Sequence, residues 1–141
     1  MRSIIVRRAS VVDAASAADL LGQLGYPMPV NEAQSRLRRA TDHVLLAESG
    51  GEALGLLELT FQRQITHGRP LARVTALVVH DSARRNGVGR HLMEKAAELA
   101  RARGCEEIEV TSAIRPEREA SHRFYEALGY QRSSYRFWRP L

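Results

Sequence analysis

The sequence predicts an α+β fold, a mixed and mostly antiparallel sheet of about seven strands flanked by four helices, in a single domain over residues 1–141. Three observations lead there. Two helical periodicities follow a first short strand, two strand runs are joined by Ser49-Gly50-Gly51-Glu52, and a strand, a basic glycine loop and a helix follow one another from Val74 to Gly104.

Ser3 to Val6 is a short apolar run between arginines and reads as an edge-type first strand. Asp13 is a plausible N-cap for a helix with Ala17, Leu20, Leu21 and Leu24 on one face, broken by Gly25-Tyr26-Pro27-Met28-Pro29. Asn31 with Gln34 resembles a capping box for a second helix that carries Ala33, Leu37 and Ala40, with Arg36, Arg38 and Arg39 outward. Val44 to Glu48 and Ala53 to Phe61 form the hairpin, and His67-Gly68-Arg69-Pro70 turns the chain into the strand Val74 to Val79, apolar on both faces. Val88, Leu92, Ala96, Leu99 and Ala100 line one face of the next helix, which ends at Gly104. Ile108 and Val110 alternate with glutamates as a fifth strand, and Arg115-Pro116-Glu117 opens a helix carrying Ala120, Phe124, Ala127 and Leu128 up to Gly129. Tyr130 to Trp138 reads as two short strands.

The chain has the length of one domain, and 44% hydrophobic with 26% charged residues is ordinary for a soluble protein. No apolar run approaches the roughly 18 residues that span a membrane, and the start lacks the pattern of a signal peptide, so a cytoplasmic protein is expected. Cys105 is the only cysteine, read as a small buried hydrophobe. The five histidines have no metal-site spacing, so no metal is expected. Net charge is +5, with 20 arginines to one lysine. These arginines are scattered, with neither a run of five nor a helix-turn-helix or RNA-reading aromatic motif, so no nucleic-acid partner is expected.

The charge points instead to an anionic ligand at the glycine loop. A helix start offers N–H groups that the helix leaves unused, together with the positive end of its dipole. Gly87 and Gly89 let the main chain approach a phosphate, and Arg84 and Arg85 add fork-shaped cationic donors. A Walker loop is excluded because the only lysine, Lys95, lies inside the helix. The dinucleotide fingerprint has Glu109 twenty residues after Gly89, but Leu92 stands where its third glycine belongs, and seven residues separate Val79 from Gly87 where that fold makes a tight turn.

Arg84-x-x-Gly87-x-Gly89 resembles the acyl-CoA pyrophosphate loop of the GNAT superfamily of N-acetyltransferases, written Arg/Gln-x-x-Gly-x-Gly/Ala, and stands, as there, between the fourth strand and third helix. A second stretch, Phe124-Tyr125-Glu126-Ala127-Leu128-Gly129-Tyr130, closely resembles the family's Phe-Tyr-Glu-x-Leu-Gly-Phe/Tyr signature. The order of elements matches that fold over essentially the full length.

The resemblance implies direct attack of an amine, on a small molecule or a peptide, on the thioester of acetyl-CoA as co-substrate, without an acyl-enzyme. It implies that main-chain groups of Leu77, Val78 and Val79 face pantetheine and the thioester where the fourth and fifth strands splay apart. Arg84, Arg85, Asn86, Gly87, Val88, Gly89 and Arg90 would hold the pyrophosphate, and Tyr125 would protonate the departing thiolate. The link between the first two helices, with Tyr26 and Met28, would help wall the acceptor site, and the resemblance leaves room for a homodimer. The chain departs from the family twice. Many members carry a basic glutamate on the fourth strand where this chain has Thr75, which leaves Glu58, then His80, as candidate bases; and many carry asparagine where Arg118 stands. The missing glutamate keeps a second reading open, a non-catalytic acyl-CoA sensor or scaffold of the same fold.

Overall fold

The computed structural model of the protein describes residues 3–40, 43–112 and 114–141. They form two compact units, Met1–Glu109 and Val110–Leu141. The first holds β1 (Ile5–Arg8), α1 (Ala14–Leu24), α2 (Val30–Arg39), β2 (His43–Ser49), β3 (Glu52–Gln62), β4 (Leu71–Val79) and α3 (Val88–Ala102), and leads into β5 (Ile108–Val110). The five strands lie in sequence order, with β1 to β4 joined by antiparallel ladders. β5 adjoins β4 through the helical crossover α3, the long connection that parallel neighbours need.

The α+β fold is as expected, but among the described residues the sheet has five strands rather than about seven. No described residue from Tyr130 to Trp138 is in a strand, and Tyr135, Phe137 and Trp138 are exposed. Aromatic residues favour a half-buried pleated surface, not an extended backbone as such, so their pattern alone does not make a strand. The hairpin matches its signal: Gly50 (φ 59°) and Gly51 (φ 84°) both take the left-handed conformation that a two-residue turn between paired Ser49 and Glu52 requires.

β1 lies two residues later than the apolar run suggested, because Arg7 finds acidic partners. Its guanidinium donates to Asp13 Oδ1 (2.8 Å) and Oδ2 (3.0 Å) and to Glu48 Oε2 (3.2 Å). Asp13 is thereby drawn away from capping α1; its Oδ2 instead accepts the Ser10 amide at 2.8 Å across a single 3-10 turn. α2 likewise begins two residues earlier than a capping box at Asn31 would start it, at Val30 behind Pro29, which leaves Asn31 inside the helix.

Arg7, against the opposing effect of burial and helped by the Ser10 amide, holds the Asp13 carboxyl below the ordinary value of 3.8. The folded state therefore favours the ionised form. That stabilisation is complete above the ordinary value and is lost as pH falls through the lower folded-state value. Because the Arg7 side chain is 37% exposed, we expect Asp13→Asn to cost only about 1–2 kcal/mol at neutral pH. Urea midpoints measured from about pH 6 down to about pH 2 should then fall more steeply in the wild type than in Asp13→Asn, and parallel curves would remove this pair from the account.

The sheet buries both faces. Leu56 and Val78, paired across β3 and β4, pack with Val44, Leu46, Ala17 and Leu20, so α1 covers that face. Alternation puts Gly55, Leu57 and Leu59 on the other face, where α3 brings Val88, Leu92, Met93 and Ala96. Each fully buried leucine contributes roughly 1.5–3 kcal/mol. The end of β4 and the start of α3 are thus fixed from both sides.

Candidate functional site

The loop after β4 is held at its beginning by α1. The His80 amide donates to Leu54 O of β3 (2.7 Å), and a 3-10 turn, Asp81–Ala83, follows with Ala83 buried. His80 Nδ1 accepts the Ser82 amide (3.1 Å) and lies 2.8 Å from Ser82 Oγ, while its Nε2 is 3.3 Å from Asp19 Oδ2 on α1. The Asp81 amide donates to Gln23 Oε1, also on α1, at 3.0 Å. With both ring nitrogens engaged, His80 is a strut between helix and loop.

Beyond this clasp the chain turns sharply. Arg85 has φ 69°, the only positive value outside glycine among the described residues, and Gly87 has φ 80°. A non-glycine residue in this region costs roughly 1–2 kcal/mol, so the turn is bought at the expense of stability. A Cβ on Gly87 would meet only the His91 ring, at 3.8 Å; the backbone angle, not space, demands glycine there. The His91 amide (3.0 Å) and its Nδ1–H (2.7 Å) both donate to Gly87 O and fix the cap of α3. Arg84, Arg85, Asn86, Gly87 and Arg90 are exposed around it, while Val88 and Gly89 are buried. Arg84 lies 3.1 Å from Asp81 Oδ1 and Arg90 3.8 Å from Glu94 Oε1, exposed pairs worth at most about 1 kcal/mol and easily exchanged for an anionic ligand.

Gly55 sets how closely α3 lies on the sheet. A Cβ there would stand 2.9 Å from Val88 Cγ1, 3.0 Å from Leu92 Cδ1 and 3.0 Å from Val78 O. The helix that supplies the loop's amides, and the strand that supplies Leu77, Val78 and Val79, therefore meet over a missing side chain. Those three residues pair inward with Leu57, Leu56 and Gly55 of β3. On the outer side β5 is short, roughly 10 Å against 30 Å for β4. It is tied to β4 at the far end, from the Ala72 amide to Glu107 O (3.2 Å) and between Arg73 and Glu109 (3.7 Å).

Between Glu58 and Leu59 the β3–β4 ladder slips by one residue: Glu58 faces Ala76 and Leu59 faces Val74, which leaves Thr75 as the extra residue of a β-bulge. Thr75 Oγ1 donates to Glu58 Oε1 at 2.6 Å. Glu58 is half-buried and Thr75 exposed, so the carboxylate is fixed yet open to solvent on the α1 side of the sheet.

The second unit holds Tyr125. A 3-10 turn, Pro116–Arg118, leads into α4 (Glu119–Ala127), and Gly129 (φ 93°) ends it. The Tyr125 ring lies edge-on to Phe124 at 5.3 Å and tilted against Tyr130 at 6.1 Å. Burial pushes its hydroxyl above the ordinary value of 10; the positive charge of Arg118 opposes this, and Tyr130 adds to it. Arg132 fastens the following segment to α4 through Glu126 (3.1 Å) and Glu119 (3.6 Å). Among the described residues no group of three or more His, Cys, Asp or Glu is placed to hold a metal ion, and no helix is long and apolar enough to cross a membrane. Burial also raises the Cys105 thiol, against the charge of Arg103, as suits a packing residue.

The profile of the Acetyltransferase (GNAT) family matches residues 13–130, which contain the loop, the bulge and Tyr125. The chain belongs to the GNAT family. It is similar to an aminoalkylphosphonate N-acetyltransferase of Salmonella typhimurium, 34% identical over 99 residues, 70% of this chain and 63% of that protein's length. It is also similar to a glucosamine 6-phosphate N-acetyltransferase of Trypanosoma brucei brucei, 30% identical over 127 residues and covering 84% and 83% of the two chains. Among solved structures, a transcriptional regulator from Bacillus halodurans C-125 superposes with a TM-score of 0.85 at 27% identity, over 99% of this chain and all of that one.

Several residues that shape this GNAT site escaped the reading of the sequence. Gly55 carried a signal, a glycine inside a strand run, which marks close approach of another element. His91 sits four residues after Gly87, the spacing of a ring that reaches back over one helical turn. Asp19 and Gln23 carried none, since their partner lies across the fold.

Proposed function

We propose that this GNAT domain transfers the acetyl group of acetyl-CoA to the primary amine of a small molecule that bears a phosphonate or phosphate group. The observation that carries the donor half is the left-handed turn at Arg85 and Gly87 leading into the start of α3, with arginines around it and the outer edge of Leu77 to Val79 beyond the reach of β5. Residues 84–90 would hold the pyrophosphate, and main-chain groups of Leu77, Val78 and Val79 the pantetheine and thioester. The acceptor class is supported by the two enzymes named above, whose substrates are amines with such a group, and by the arginine-rich composition.

In this reading Glu58 takes a proton from the acceptor ammonium. Glu58 passes that proton to solvent; the amine nitrogen then bonds to the thioester carbon and gives its second proton to Glu58 as the carbon–sulfur bond breaks, and Tyr125, at the family's signature position, gives its proton to the departing sulfur. Solvent restores both groups. An acetylation screen over aminoalkylphosphonates, amino-sugar phosphates, their phosphate-free counterparts, polyamines, aminoglycosides and peptide N-termini, reading released CoA, tests it. We expect turnover to concentrate on the phospho-bearing amines; equal rates on their phosphate-free counterparts would discard the acceptor class. A second reading, an acyl-CoA-binding sensor or scaffold, draws on the similarity to a protein named as a transcriptional regulator, and turnover with any amine separates the two.

Glu58→Gln keeps the shape of the side chain and removes its capacity to take a proton. Turnover on the best acceptor should fall at least about tenfold, and the acidic limb of the rate profile should flatten. A variant with the wild-type profile would return the role to water or to an amine that arrives neutral.

A further inference from the structure

We propose that Thr75 is the positioning residue for a base delivered from the neighbouring strand, so that β3 and β4 together present one carboxylate above the Thr75 position. This rests on the acetyltransferase reading with Glu58 as base.

In a regular strand Thr75 would point to the face opposite Ala76. The ladder shows why it does not. Ala76 is matched to Glu58 and Val74 to Leu59, so Thr75 is the unmatched residue of the bulge and its side chain turns to the face of Ala76 and Glu58. Glu58 is two residues on from Leu56, which packs with Ala17 and Leu20 of α1, and therefore points to that same face. The two side chains meet there at 2.6 Å, a distance expected for a hydroxyl bound to a carboxylate.

The consequence is geometric. A glutamate has three side-chain torsions, and on an open part of a sheet it samples many rotamers. One oxygen bound by Thr75 leaves the other directed by that bond, in a position reached from solvent because Thr75 is exposed. Oε1 lies 2.6 Å from the tip of residue 75, so a carboxylate carried by residue 75 itself would occupy nearly the same space. The absence of glutamate at position 75 is thus compensated by position 58, with the threonine hydroxyl as the joint.

The test measures released CoA from acetyl-CoA with aminoalkylphosphonates and with glucosamine 6-phosphate as acceptors, for Thr75→Val, Thr75→Ser, Glu58→Gln and the double variant Glu58→Gln with Thr75→Glu. If the wild type releases no CoA from any of these or from the wider screen, the acetyltransferase reading itself fails. If Glu58→Gln keeps the wild-type rate, the base assignment fails. Given turnover that depends on Glu58, Thr75→Val should lower kcat by about fivefold to tenfold with the KM for acetyl-CoA within about twofold, and Thr75→Ser should recover most of the loss. The double variant should regain activity over Glu58→Gln by at least about tenfold, which no purely structural role for Thr75 produces. Wild-type kcat in Thr75→Val, a loss that Thr75→Ser shares in full, or a folded double variant no faster than Glu58→Gln, overturns the proposal.

Discussion

Gly89→Val should lower the affinity for CoA by more than about tenfold, a loss of about 1.4 kcal/mol or more, with the fold retained. Gly89 is the second residue of α3 and is buried, although most of the loop before it is exposed. Its amide belongs to the first helical turn, whose N–H groups have no partner within the helix and are the natural donors to a pyrophosphate. If the loop holds the pyrophosphate as proposed, a branched side chain there would crowd the phosphate's approach to the main chain, and it cannot swing away from a backbone-fixed Cβ. Calorimetry on a variant with a native circular dichroism spectrum decides the matter, since unchanged affinity would sink the loop assignment. Arg84→Ala should do less, because an exposed guanidinium shared with Asp81 contributes one adjustable contact and its removal blocks nothing.

Tyr125→Phe is expected to reduce kcat at least about tenfold and leave acetyl-CoA affinity nearly unchanged. A positioned proton donor typically contributes roughly 10²–10⁴ in rate, and the phenylalanine keeps the ring contacts with Phe124 and Tyr130. Burial raises the hydroxyl's pKa above 10, so it is protonated throughout the neutral range and its contribution is lost only as pH rises through that higher folded-state value. Arg118 tempers the shift by favouring the phenolate, which eases release of the proton when the thiolate forms. Pre-steady-state measurements that show chemistry to be rate-limiting, together with a wild-type kcat in the variant, would reduce Tyr125 to a packing residue.

How far the sequence could be read depended on whether a feature is local. Gly50-Gly51 announced its turn because both positions require left-handed backbone, and α3 announced its start and its end because glycines lie at both. The loop proposed to hold the pyrophosphate was readable for the same reason: the chemistry assigned to it resides in consecutive residues. What escaped depends on partners distant in the chain. Asp13 has the right residue type and place to cap α1, but Arg7 and Ser10 compete for it, and a guanidinium in two-pronged contact outweighs one amide. Asn31 and Gln34 fit a capping box by spacing, yet Pro29 with its fixed φ starts the helix two residues sooner. The extra residue at Thr75 is invisible in a run that alternates acceptably, because a bulge exists only relative to the strand beside it. Tyr130 to Trp138 shows the converse, an extended-looking pattern with no described residue in a ladder.

With CoA held at the start of α3 as proposed, the fit of α3 over Gly55 implies that the interior of this protein and its ligand affinity cannot be tuned separately. The direction of the amides at Val88 and Gly89 is set by how deeply Val88 and Leu92 seat against a strand residue that no ligand could touch. A methyl group added at position 55 would tilt or lift the helix start by a few tenths of an ångström, and the loop would move with it. In a mutational scan scored by CoA binding, position 55 would therefore cluster with the loop residues, while scored by folding it would cluster with the core. Smaller residues at 88 or 92 would relieve only part of the crowding from a larger residue at 55, because the backbone carbonyl of Val78 would still stand 3.0 Å from its Cβ.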